Sequence, residues 1–328
     1  MYRPVTPEPV EPSGWTETRL PEAPERMRDV TLVQLDRFLR HPIRYFVNSR
    51  LQVYLREEEP EEDEELFGLD GLQSFFLKQR LVEDRLQGKA SSRRQLSAEG
   101  ALPHGAFARL AFEEESEKVA PLVEQLQDYM GLRPEQVPVD LALDGNPGPR
   151  QLAGQVDGVY PGLGLLRWKP SSLKGPDILS LWLGHLAWCA AGGLGGDLGG
   201  DSGEKRSALY TTGETFVIRE SLEPDLARSQ LARYLSWYWE GVHRPLILLP
   251  KASYAYALKQ YQGGRADPMR AARGEWNGNS FMDIPGDKDD PYIQLVMRGV
   301  SGEPIESDSF ATLAVEFYEQ ALSTGEIL

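Results

Sequence analysis

Cysteine occurs once in this chain, at Cys189, and histidine four times, at His41, His104, His185 and His243. One cysteine excludes an internal disulfide framework and any multi-cysteine zinc or iron–sulfur centre within the chain. It fits a reducing, cytoplasmic setting. The histidines form no H-x-x-x-H pair, which removes the usual zinc-hydrolase arrangement, and no metal or other cofactor is expected. Long apolar runs are also missing. The most apolar stretch, Ile178 to Ala191, is interrupted by His185 and followed by glycines, so it reads as a buried helix rather than a membrane span. The opening MYRPVTPEPVEPSGW has no apolar segment of the kind a secretory signal needs. Positive charge is short: 35 Lys and Arg against 50 Asp and Glu leave a net charge of −15. A broadly basic surface for DNA or membrane is therefore absent, and any nucleic-acid contact has to come from a local patch.

Two catalytic signatures are absent as well. There is no G-x-x-x-x-G-K-[ST] phosphate loop and no G-x-S-x-G nucleophile elbow. The glycines from Gly192 to Gly196 follow a helical pattern instead of preceding one, so they cannot seat a phosphate on a helix N-terminus and read as a flexible linker.

What is present is a folding chain: 328 residues, 41% hydrophobic and 9% aromatic. Residues 1–29, rich in Pro and Glu, read as an extended or disordered lead-in. Residues 30–328 read as one domain, with a helical part over about 30–131, a sheet core over about 136–250 and a C-terminal part over about 251–328. Thr31-Leu-Val-Gln34 has the form of a capping box, and Leu32, Leu35, Phe38 and Leu39 then share one helical face. Pro42 starts a short helix carrying Tyr45 and Phe46, and Leu51 to Leu55 alternates like a strand. Glu57 to Glu65 (EEEPEEDEE) is a solvated acidic loop, or a docking element for a basic partner surface. Helical periodicity returns over 69–87 through Leu72, Phe75, Phe76 and Leu81; Lys89 to Arg94 reads as a loop, and a helix is expected from Phe107 to Met130.

From Val137 the pattern changes. Strands are predicted at 137–143, 151–160 and 163–168, then a helix over 176–190 and a hairpin of 208–211 with 215–218. A helix over 224–241, an apolar strand Leu246 to Leu249 and a last helix at about 309–323 follow. The stretch 262–290 shows no clear pattern. The whole describes an α/β or α+β fold with a mixed central sheet flanked by helices.

The chemically suggestive segment is Gly154-Gln-Val-Asp157-Gly-Val-Tyr160, followed by Gly164-Leu-Leu-Arg167-Trp-Lys169-Pro170. An acid on one strand and a spaced lysine on the next, followed by a helix, resembles the core of restriction-endonuclease-like, PD-(D/E)xK nucleases. In that core two carboxylates hold Mg²⁺, which polarises the phosphate, while the lysine orients the nucleophile. Asp157 and Lys169 match the outer positions. Arg167 stands where the second carboxylate belongs, and a guanidinium has no lone pair to offer a cation.

Around this pair, Thr31 to Phe46, Leu102 to Phe107, Gly164 to Pro170 and Leu181 to Gly193 closely resemble the RecC C-terminal domain family, the gamma subunits of bacterial exodeoxyribonuclease V (the RecBCD helicase–nuclease). The resemblance runs from about residue 30 to the end. Active RecB-like nucleases carry G-x-x-x-H-x-x-[L/F]-E; here Gly105, Phe112 and Glu113 match, but Arg109 replaces the histidine. Ser180 falls where active members carry glutamine, and His41-Pro42-Ile43 stands where a related branch has an iron–sulfur cysteine. The resemblance implies a non-catalytic domain in DNA repair and recombination. It would dock the RecD helicase subunit, sit beside RecB and help guide a duplex end and its unwound single strands. Arg109, Glu113, Asp157, Arg167 and Lys169 would be its vestigial nuclease positions. The alternative is an active Mg²⁺-dependent DNA nuclease with a rearranged metal site, in which Glu113 or Asp177 supplies the missing carboxylate.

Candidate DNA contacts are Arg37, Arg40, Arg44 and Arg50, with Arg93 and Arg94 as a second basic cluster. Candidate partner contacts are Trp237, Tyr238 and Trp239, of which most are expected in the core, any exposed ring being an interface anchor. The same holds for Tyr254 and Tyr256.

Overall fold

The computed structural model describes residues 19–55, 69–105, 107–143, 148–191 and 205–328. The acidic run at 57–65, the turn at 144–147 and the glycine-rich segment from 192 lie outside these residues. So does the lead-in up to 18.

Order begins earlier than residue 30. Ala23 and Met27 are buried, and Arg50 donates to the Pro21 carbonyl oxygen over 2.7 Å. Strand β1 (Asp29–Thr31) follows. Helix α1 (Leu32–Arg40) starts where Thr31 Oγ1 accepts from the Gln34 amide and Gln34 Oε1 accepts from the Thr31 amide, the reciprocal cap read from the sequence. Leu32, Leu35, Phe38 and Leu39 are all buried, each contributing ~1.5–3 kcal/mol of apolar transfer. Pro42 stops α1, since the residue before a proline is pushed out of helical geometry, and opens α2 (Pro42–Tyr45) at its first position. His41 Nδ1 accepts from the Arg44 amide and caps the new helix.

Helices α3 (Gly71–Leu86), α4 (Arg93–Ala98) and α5 (Phe107–Gln125) form one layer. Then come β2 (Glu135–Ala142), β3 (Gln151–Tyr160), β4 (Gly164–Lys169) and α6 (Gly175–Ala190). The hairpin β5 (Ser207–Thr211) and β6 (Thr215–Ile218) precedes α7 (Pro224–Gly241). Next are α8 (Ala252–Gln262), α9 (Pro268–Asn277), α10 (Pro291–Val296), α11 (Asp308–Thr324) and β7 (Gly325–Ile327).

The strands make one seven-stranded mixed sheet. β1 with β3 and β4 with β5 are parallel pairs, and the other pairs are antiparallel. β2 covers one edge of β3 along its length, so β1 and β4 share the other edge. β1 pairs at 151–153 and β4 only at Val159↔Leu165 and Tyr160↔Gly164. Between them, over 154–158, the sheet is forked.

One face of the sheet packs through Val137, Val139, Leu152, Val156, Leu165 and Leu209 against α1, α6, α7 and α11. The opposite face carries Tyr160, Leu166, Trp168 and Tyr210 against α3, α4 and α5. A further cluster joins α2 to α8, α9 and α10. α6 lies deepest: every residue but Pro176 and Ser180 is buried, as expected of a helix apolar on all sides. No helix among the described residues is long and apolar enough to cross a membrane.

Several expectations need correction. Leu51 to Leu55 is no strand: a π-type turn at Phe46–Arg50 precedes it, Gln52 adopts φ +59°, and no neighbouring strand pairs with it. Leu246 to Leu249 is also irregular; Leu246 and Leu248 fill the main core, Leu249 fills the third cluster, and the Leu249 amide donates to Ser253 Oγ. Arg93 and Arg94 open α4 instead of closing a loop. On α3 the buried residues are Leu77, Leu81 and Val82, while Leu72 and Phe76 face out. The helix expected through Met130 ends at Gln125, with a 3-10 turn at Gln127–Tyr129 before Gly131.

Candidate functional site

The fork between β3 and β4 opens into a cleft of about 310 Å³. Its lining includes Asp157 and Gln155 of β3, Arg167 of β4, Asp36 and Arg40 of α1, and Ser180 of α6. The geometry follows from local sequence. Gly158 adopts φ +83°, and a Cβ there would fall 2.7 Å from the Leu166 carbonyl oxygen, so only glycine lets β3 and β4 approach this closely before they part. Continuing their antiparallel register two steps past the Val159↔Leu165 pair sets Asp157 across from Arg167, where the strands have already parted.

Arg167 and Lys169 alternate with Leu166 and Trp168, so both side chains leave β4 on the α1–α6 face. Burial lowers the Arg167 pKa, and the charges of Asp157 and Asp36 oppose that shift. Its Nε is enclosed without a hydrogen-bond partner, as is Asp36 Oδ1. Asp157 itself is exposed. The Arg167 guanidinium thus occupies the floor of the cleft, with one carboxylate on the rim and a second on α1.

Lys169 does not enter the cleft. Its Nζ lies 2.7 Å from Asp177 Oδ2, in the first turn of α6. Asp177 Oδ1 in turn accepts from Arg40 at 3.3 Å, and Arg40 Nε donates to Asp36 Oδ2 at 2.8 Å. Asp36, Arg40, Asp177 and Lys169 form a chain of alternating charge that ties α1, α6 and β4 together. Two neighbouring carboxylates raise the Arg40 pKa against its desolvation, which is the largest single influence.

Of the residues singled out from sequence, Asp157, Arg167 and Ser180 meet at the cleft, with Arg40 beside them. Arg109 and Glu113 do not line it. Both are exposed on α5, whose layer covers the other face of the sheet. Asp177, the other acid considered as a replacement ligand, is held by Lys169 and Arg40. Among the described residues no group of three or more His, Cys, Asp or Glu side chains is placed to hold a metal ion. Asp36 and Arg40 as cleft residues complete the set; the sequence signal for Asp36 is its place one turn below Arg40 on α1.

The arginines do not form one row, because the chain over 31–50 breaks into α1, α2 and the π-type turn. Arg40 is engaged as described, and Arg50 donates to the Val242 and Pro21 carbonyl oxygens. Arg37 is exposed, Arg44 lies 4.9 Å above the Tyr292 ring, and Arg93 and Arg94 are exposed at the start of α4.

Tyr238 and Trp239 are core residues, 1% and 8% exposed. Tyr238 joins Phe38 and Tyr45 in a cluster of edge-on rings with centroids 5.5–5.8 Å apart. Trp237 is different. It is half-buried, stacks on Phe317 at 4.2 Å, and lines a groove of about 680 Å³ with Pro245, Ile247, Met297, Val300 and Leu313. Tyr254 and Tyr256 are half-buried against Tyr318 and Phe310.

Comparison with known proteins returns one family. Residues 27–261 match the family described as RecC C-terminal domain. The chain is 33% identical to the RecBCD enzyme subunit RecC of Escherichia coli K12 over 297 residues, which is 85% of this chain and 24% of that protein. It is 24% identical to the RecC subunit of Buchnera aphidicola from Schizaphis graminum over 287 residues, 84% of this chain and 25% of that one. The RecC subunit of Haemophilus influenzae Rd matches at 24% over 169 residues. The chain spans about a quarter of the length of the first two.

Proposed function

The chain belongs to the RecC C-terminal domain family, and from that premise we propose that it is a nuclease-type domain that has lost its chemistry and serves as a docking element of a RecBCD-type helicase–nuclease. The observation that carries this reading is Arg167 on the cleft floor, on the strand opposite Asp157. A restriction-endonuclease-like site needs a second carboxylate there, to share a divalent cation with the first. A guanidinium at that position repels the ion and cannot ligate it. The relation of β3, β4 and α6, with an acid on the first strand and Lys169 two residues beyond Arg167, supports descent from that nuclease core.

In this reading the domain contributes shape to double-strand-break repair and recombination. It docks the RecD-type helicase subunit, lies beside the RecB-type subunit and helps guide the unwound DNA. Arg37, Arg93 and Arg94 remain its candidate phosphate contacts; Arg40 and Arg50 are engaged by other parts of the fold, and Arg44 packs over the Tyr292 ring. Trp237 is the candidate aromatic anchor for a partner, because it combines partial exposure with a rigid stack on Phe317.

The test pairs two measurements on one preparation. The chain is expected to co-purify with the cognate RecD-type subunit and to leave linear single-stranded DNA intact in Mg²⁺. Cleavage that disappears in Asp157→Ala would overturn the non-catalytic reading. Failure to retain the RecD-type subunit would overturn the docking reading.

A further inference from the structure

The sequence stretch with no clear pattern, 262–290, contains the most exposed aromatic residue of the described chain. Phe281 is 96% exposed, with Met282 at 64% and Ile284 at 49% beside it. Exposed apolar side chains usually sit on a surface where they cost little, or on a loop with no fixed shape. This loop has a fixed shape.

Asn279 and Ile284 close it as a bridge, with Asn279 N to Ile284 O at 2.8 Å and Ile284 N to Asn279 O at 2.9 Å. Asn279 Oδ1 accepts from the amides of Phe281 and Met282 at 3.1 and 3.2 Å, so two of the tip's backbone donors are satisfied from within. Asp283 adopts φ +53°, a conformation costing of order 1 kcal/mol that the rest of the loop must hold. At the base, Gly278 has φ +65° and a Cβ would fall 2.3 Å from the Gly286 amide nitrogen. The two backbones are in contact. Below them Trp276 is buried, and buried Asp287 accepts from the Lys251 and Ala252 amides, fastening the loop to the start of α8.

We infer that this tip is a preformed plug, and that its occupant is an apolar pocket with a basic rim on a partner protein of the complex. The inference rests on the docking reading above and assigns that docking a contact point. A rigid aromatic presented in its bound shape loses little conformational entropy on insertion, which is how a small contact becomes a strong one. The charge around it selects the partner class. Asp283 stands exposed within the tip; at the base exposed Asp289 accepts from the Gly286 amide, Lys251 donates to the Pro285 carbonyl oxygen, and Lys288 reaches back to Asn277 Oδ1 at 3.2 Å. A phosphate backbone would meet these carboxylates and a chain of net charge −15. A second copy of this chain fits poorly as well, since the groove beside Trp237 carries Glu303 and Glu306, and its Arg244 is already paired with Glu240.

The test uses this chain co-expressed with the cognate RecB- and RecD-type subunits and loaded with a DNA end. Replacing Phe281 by the photo-crosslinker p-benzoylphenylalanine keeps an aromatic at the tip. Irradiation is expected to join it to one of the two partner subunits. A Phe281→Ser, Met282→Ser double variant is expected to lose roughly tenfold or more in affinity for that subunit, with an unchanged melting temperature because neither side chain supports the core. An adduct to DNA, an adduct to a second copy, no adduct, or unchanged affinity would overturn the inference while leaving docking by the wild-type chain intact. Failure of the wild-type chain to retain either subunit would remove both readings together.

Discussion

Lys169 Nζ and Asp177 Oδ2 lie 2.7 Å apart, which turns the lysine away from the cleft that Asp157 lines and into the first turn of α6. The pair is the end of the chain running through Arg40 to Asp36. Its members therefore hold three elements together at the edge of the cleft.

Removing that anchor has a stated cost. Asp177→Ala leaves Lys169 and Arg40 without their shared partner. It is expected to destabilise the fold by roughly 1–3 kcal/mol, below the cost for a fully buried pair because both cations are partly exposed. Asp177→Asn is expected to recover about half, since the amide oxygen still accepts one bond. Urea unfolding of the three proteins reads this directly; equal midpoints would show that the pair is ornamental.

Acid is expected to destabilise the protein through His185. This side chain is fully buried, with Nδ1 2.8 Å from Ser207 Oγ, and burial pushes its pKa down to about 4 from the ordinary 6.5. Between those two values the unfolded chain binds a proton that the folded chain refuses, so stability is flat above the upper value and falls as pH drops toward the lower. The full loss is ~3 kcal/mol. Unfolding free energies at pH 7 and pH 4.5 are expected to differ less in His185→Gln than in the wild type. Equal differences would remove His185 as the source.

The seam between α1 and α7 depends on a missing methyl group. A Cβ on Gly241 would lie 2.3 Å from Phe38 Cε2, within the Phe38–Tyr45–Tyr238 cluster. Gly241→Ala is expected to cost ~1–3 kcal/mol by overpacking, and Gly241→Ala with Phe38→Leu to recover part of it. Thermal melts decide the point.

Trp237 and Trp239 are expected to separate binding from stability. Trp239→Ala empties a core site and should cost ~3–5 kcal/mol, whereas Trp237→Ala should cost less and reduce partner affinity. Comparable stability losses with no binding change in Trp237→Ala would make it ordinary core.

The fold was partly legible in the sequence. Strong periodicity, proline starts and the Thr31 cap set α1, α6, α7, β3 and the β5–β6 hairpin near their observed bounds. Pairing was not legible: β1 and β7 are short strands whose only signal is the partner that tertiary structure brings them. Leu246 to Leu249 misleads for the converse reason, having strand composition but packing its side chains into two separate cores without a strand partner. At the site, Asp157 and Arg167 come together because two strands carry them, and spacing reveals that. Arg109 and Glu113 share a linear motif but end on the opposite layer, because the helix that carries them packs on the other face of the sheet.

The central claim is that a guanidinium fills the position of a metal-binding carboxylate, and a titration with Mn²⁺ followed by its electron paramagnetic resonance signal tests it most directly. The wild-type chain is expected to show no Mn²⁺ binding that Asp157→Asn abolishes, and Arg167→Glu to gain such a site. Mn²⁺ bound by the wild-type chain and released by Asp157→Asn would contradict the account.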